Sequence, residues 1–72
     1  MTGGELLAKL KKTANARGAT YRFEKKRGKG SHGTIYFGEM KAVIPDRKKE
    51  IKSGTLHGIL KQLGLTLEDL QD

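Results

Sequence analysis

The run Arg27-Gly28-Lys29-Gly30-Ser31-His32-Gly33 sets one histidine among glycines, a serine and a dense group of cations that begins at Lys25. Histidine has an unperturbed pKa of about 6.5, so it can both take and give a proton near neutrality. Glycines let backbone approach a ligand closely and adopt positive φ without steric cost. The cations supply a field that concentrates polyanions. In combination these residues describe a proton-transfer group placed where a phosphate would dock.

The flanking sequence must position that loop. Thr2-x-x-Glu5 has the form of a capping box, in which hydroxyl and carboxylate each satisfy an orphan amide at a helix start. Leu6, Leu7, Leu10 and Ala14 then follow 3.6-residue spacing, with Lys9, Lys11 and Lys12 mostly on other faces, until Gly18 offers a stop. The stripe lacks aromatics, which favours core packing over a membrane surface. From Thr20 the period changes to two: Tyr21 and Phe23 alternate with Arg22 and Glu24, a half-buried strand running into Lys25-Lys26-Arg27. After the glycine-rich loop, Thr34 to Phe37 is a second strand, Gly38-Glu39 a tight turn, and Met40 to Ile44 a third strand closed by Pro45.

Beyond the charged connection Asp46 to Lys52, Ser53 or Thr55 is expected to cap a second helix carrying Leu56, Ile59, Leu60 and Leu63 on one face. Gly64 ends it, and Thr66 to Leu70 predicts a short third helix with an N-cap threonine and acids in its first turn. The expected fold is α+β, in the order α-β-β-β-α. A three-stranded antiparallel sheet carries both long helices on one face, because three strands alone would leave an apolar face wet. Double-stranded RNA-binding domains share this order and read A-form shape rather than base sequence.

At 72 residues the chain is expected to form one domain over residues 1–72, with a thin core and no room for a deep cofactor pocket. Without cysteine there is no disulfide, thiolate nucleophile or Cys-type zinc site, a composition that suits a reducing compartment. No apolar run reaches the roughly 18 residues that span a bilayer, and Met1-Thr2-Gly3-Gly4 lacks the pattern of a signal peptide. The expected location is cytoplasmic. The net charge of +7 understates the basic body: residues 1–67 carry fifteen cations against five acids, a net +10, because Glu68, Asp69 and Asp72 close the chain. Such an excess attracts nucleic acid, anionic membrane or an acidic protein, and nucleic acid is the leading expectation.

Gly28-Lys29-Gly30-Ser31-His32, a strand closing on Ile44-Pro45, and Lys52-Ser53-Gly54-Thr55-Leu56 running on to Ile59-Leu60-Lys61-Gln62-Leu63-Gly64-Leu65 together resemble the HicA family, the toxins of bacterial and archaeal toxin–antitoxin pairs. The resemblance spans nearly the whole chain in element order and length. It implies a double-stranded-RNA-binding-like fold, ribosome-independent cleavage of mRNA, and neutralisation by a HicB antitoxin that covers the active site. It places the catalytic histidine of the family's Gly-Ser-His motif on His32, with Gly30 and Ser31 completing the motif. The chain departs from many relatives after the third strand, where they often show a histidine or a shorter polar stretch and this chain has Asp46-Arg47-Lys48-Lys49. The hairpin Gly38-Glu39 is also short, and His57 has no catalytic place in the motif.

The chemistry open to these residues is RNA transesterification, in which His32 removes the 2′-hydroxyl proton and the oxygen attacks phosphorus. Lys29, with Lys26 or Arg27, would neutralise the non-bridging oxygens, and backbone amides around Gly30 and Ser31 would add hydrogen bonds. No metal or small-molecule cofactor is expected, since no carboxylate pair or histidine cluster has ligand spacing. Competing readings are plain. His32 could simply hydrogen-bond a phosphate, Lys25 to Lys29 could be a solvated rim, and Arg47, Lys48 and Lys49 could bind phosphate or meet acids on the antitoxin. One of Tyr36 and Phe37 must face away from the core. At the level of function the alternatives are a non-catalytic basic RNA-binding module and a structural domain that meets an acidic protein.

Overall fold

The capping box forms, with the Thr2 hydroxyl accepting from the Glu5 N–H at 3.1 Å and the Glu5 carboxylate accepting from the Thr2 N–H at 2.8 Å. A computed structural model describes residues 1–25 and 32–70, in the order α1 (Gly3–Arg17), β1 (Tyr21–Lys25), β2 (Gly33–Phe37), β3 (Met40–Ile44), α2 (Ser53–Gln62) and a 3₁₀ helix (Leu67–Leu70). The strands make one antiparallel sheet with β2 in the centre. The α+β architecture expected from the sequence is therefore present.

Both long helices end on the same device. Gly18 and Gly64 adopt left-handed φ of 68° and 73°. The following amides, Ala19 and Leu65, donate back to the carbonyls of Ala14 and Leu60 at 2.9 and 2.8 Å. These are Schellman closures, and glycine is the residue that reaches their geometry without strain. The start of α2 differs from expectation. Its N-cap is Lys52, with no side-chain cap bond, and Ser53 already lies inside the helix, so neither Ser53 nor Thr55 caps it. The Ile51 N–H donates to the Met1 carbonyl at 2.9 Å and Glu50 bridges to Thr2, so the chain is fixed upstream of either hydroxyl before the helix begins.

Helix α1 lies against β1 and β2, and α2 against β3, on one face of the sheet. Side-chain alternation then sorts the strands. Ile35, Phe37, Ala42 and Ile44 are buried under the helices, while Arg22, Glu24, Lys41 and Val43 are exposed on the other face. Leu6, Leu10, Ile35, Ile44 and Leu60 are the largest fully buried side chains. The terminal segment folds back as a 3₁₀ turn rather than an α-helix. Asp69 accepts from the Thr66 N–H at 2.8 Å, and its other carboxylate oxygen accepts from the Arg17 guanidinium at 2.6 Å. One terminal acid is thus spent on α1 rather than left in a tail. No helix among the described residues is long and apolar enough to cross a membrane.

Candidate active site at the sheet rim

His32 immediately precedes β2 and is exposed. Because β2 is central, its first residue, Gly33, pairs with Lys25 at the end of β1 and with Ile44 at the end of β3. The meander therefore gathers three chain positions at one rim: the end of the first strand, the histidine, and the Pro45-Asp46-Arg47 segment that leaves the third. Lys26, Arg27, Lys29, Gly30 and Ser31, the expected RNA-binding positions, lie outside the described residues.

Gly33 is required here for a reason that charge and spacing did not reveal. A Cβ at this position would sit 2.3 Å from the Cζ of Phe23 and 2.7 Å from the backbone carbonyl oxygen of Glu24. The Phe23 ring therefore lies directly against the backbone of Gly33, the residue that follows His32. Among the described glycines the positive-φ positions are Gly18, Gly38 and Gly64, so Gly33 serves close approach to protein rather than a left-handed turn.

The Arg47 guanidinium lies over the same Phe23 ring, its carbon 5.3 Å from the centroid. Such stacking holds a cation in place without using its in-plane N–H donors. The backbone of Arg47 is fixed from below. Its carbonyl accepts from the Gly4 N–H at 3.0 Å, and a Cβ on Gly3 would stand 2.9 Å from its Cα, so α1 begins against this segment. Asp46 turns the chain by accepting from the Lys48 N–H at 2.9 Å. Lys48 and Lys49 project into solvent, whereas Arg47 is half-buried. The sequence grouped these three cations; the fold separates them. The available signal was position, since Arg47 follows the strand that ends at the histidine's own rim.

The open face carries a second feature. Tyr36 pairs with Arg22 on one side and Lys41 on the other, and the Arg22 guanidinium lies 4.4 Å from the Tyr36 ring centroid. Of the two adjacent aromatics, Phe37 is the core residue and Tyr36 the outward one. A shallow groove of about 260 Å³ beside it is lined by Thr34, Tyr36, Lys41, Ala42, Val43 and Gln62. It does not include His32. The rim that carries His32 is therefore the candidate active site. His57 is exposed on α2, away from the buried stripe. Among the described residues no three His, Asp or Glu side chains converge to hold a metal ion.

A three-stranded sheet backed by two helices, with a histidine and a stacked arginine at one rim, defines a class of small basic α+β domains. Residues 19–65 match the family described as HicA toxin of bacterial toxin-antitoxin. The matched span contains all three strands, His32 and α2, and the chain belongs to the HicA toxin family. Its role is that of the toxin in a toxin–antitoxin system, with an antitoxin as partner. No curated protein and no solved structure matches the chain.

Proposed function

We propose that the chain is a cytoplasmic, single-domain endoribonuclease toxin that cuts mRNA independently of the ribosome and of metal, with His32 as general base. The observation that carries this reading is the placement of His32: exposed, at the mouth of the central strand, beside cations on both neighbouring chain segments. An unprotonated imidazole nitrogen of His32 takes the proton of a ribose 2′-hydroxyl. The 2′-oxygen bonds to the adjacent phosphorus, and the bond to the 5′-oxygen breaks. The departing oxygen takes a proton from water or from the imidazolium, leaving a 2′,3′-cyclic phosphate on one product and a 5′-hydroxyl on the other. One histidine serving both transfers makes a slow nuclease, since a positioned acid or base contributes about 10²- to 10⁴-fold. A HicB-type antitoxin would neutralise the toxin by covering this exposed rim.

The test is cleavage of an end-labelled mRNA in EDTA by the purified chain and by His32→Ala. Cleavage by the wild type alone, with cyclic phosphate ends, is the expected outcome. If neither protein cuts and both bind RNA equally, the enzyme reading is wrong. A non-catalytic RNA-binding module is then the better account, and the Arg22–Tyr36–Lys41 row on the open face favours it, because an aromatic flanked by cations is a platform for a stacked base.

A further inference from the structure

We propose that Arg47 is the phosphate-binding cation of the His32 site, its guanidinium holding the non-bridging oxygens of the phosphodiester on which His32 acts. This rests on the endoribonuclease reading and adds to it a residue from a different part of the chain. Three observations converge on it. The guanidinium stacks on Phe23, and the same ring lies against Gly33, the residue that follows His32. One ring therefore ties the arginine to the histidine's neighbour. The Arg47 Nε is buried and has no hydrogen-bond acceptor. Buried donors in folded proteins are almost always paired, so this one is an exception that the acceptors of the fold do not satisfy. No carboxylate among the described residues forms an ion pair with Arg47, although Arg17 and Arg22 both have one.

The chemistry selects the acceptor. As the 2′-oxygen attacks, negative charge accumulates on the two non-bridging oxygens, and a planar guanidinium can meet both through parallel N–H donors. Stacking on Phe23 and anchoring by the Gly4 amide keep Arg47 in one orientation before RNA arrives. Donors fixed in advance are worth more to a transition state than donors that must be ordered during the step. Lys48, next in sequence but solvent-exposed, has neither constraint.

The experiment compares wild type, Arg47→Gln, Arg47→Lys and Lys48→Ala on an RNA carrying a single cleavable linkage, and on its two phosphorothioate diastereomers. Melting temperatures are recorded for each protein. The expected result is a loss of about 10²- to 10³-fold in single-turnover rate at saturating RNA for Arg47→Gln, the scale of removing one charge-stabilising donor. Arg47→Lys should recover part of it, and Lys48→Ala should cut like the wild type. The wild type should discriminate between the diastereomers, and Arg47→Gln should not. An Arg47→Gln rate equal to wild type overturns the proposal. So does a loss of antitoxin binding with cleavage intact, which would make Arg47 a contact for an acidic protein surface. If Arg47→Gln fails to fold, Arg47→Lys carries the same comparison. If the wild type itself does not cut, the endoribonuclease reading fails separately, and the salt dependence of RNA binding then decides. Losing one phosphate contact should reduce the slope of log K against log salt by about 0.7, and an unchanged slope overturns the proposal.

Discussion

Gly33 shows how a single missing carbon organises this site. Substitution to alanine would drive a methyl group into the Phe23 ring and the Glu24 carbonyl, both within 2.7 Å of the new atom. Neither can retreat cheaply: one is backbone, and the other is packed between Gly33 and Arg47. Gly33→Ala is expected to cost about 1–3 kcal/mol, the range of overpacking, and to lower the melting temperature by some 4–8 °C for each kcal/mol. A calorimetric scan beside the wild type checks this, and an unchanged melting temperature would show that the ring moves aside freely. On the proposed endoribonuclease function, cleavage should also fall further than the folded fraction alone predicts, because the displaced backbone of Gly33 adjoins His32. In the sequence, this glycine looks like part of a phosphate-binding loop. Its packing role was not legible there, since it depends on a phenylalanine ten residues earlier being brought over it by strand register.

The elements divide by how local their instructions are. The α1 capping box and both glycine closures were readable, because every partner lies within a few residues. Thr2→Ala should remove about 1 kcal/mol, the usual worth of a hydroxyl N-cap, and a urea midpoint lowered without a change in slope is the signature to look for. The start of α2 was misread because what fixes it, the bonds from Glu50 and Ile51 to Thr2 and Met1, joins positions some fifty residues apart. The 3₁₀ helix is likewise set by a distant partner, Arg17. The Thr66 amide, above all, holds the Asp69 carboxyl below its ordinary value of 3.8, with the Thr66 hydroxyl and Arg17 acting in the same direction. A depressed carboxyl contributes stability above its unfolded pKa and loses it as pH falls through the folded one. The stability gap between wild type and Asp69→Asn should therefore be constant above about pH 4 and shrink below it. Urea titrations from pH 2 to 6 would reveal that closing gap, whereas parallel curves would rule out the ionised carboxylate as the source.

At the scale of the whole molecule, stability is concentrated in very few side chains. Leu10 and Leu60, one from each long helix, are fully buried and face the same sheet. Truncating either to alanine is expected to cost about 2–5 kcal/mol. Natural domains hold about 0.05–0.15 kcal/mol per residue, so such a loss removes much of what a chain of 72 residues can have. Thermal unfolding of Leu10→Ala and Leu60→Ala checks this, and a melting temperature within a few degrees of wild type would place the core elsewhere. The two-layer arrangement itself was legible, because helical and alternating periods are properties of contiguous sequence. The separation of Arg47 from Lys48 and Lys49 was not, since three adjacent cations become distinct only when one of them meets a ring.

That thin core bears on the genetics of a toxin. In a population of cells forced to express this chain, survivors are those whose copy has lost its action, and any lesion that unfolds the protein suffices. With so little reserve, single substitutions at Leu6, Leu10, Ile35, Ile44 or Leu60 should appear among the survivors as readily as changes at His32. The spectrum of escape alleles would therefore trace the hydrophobic layer, and only alleles whose product still accumulates to normal levels would mark the chemistry.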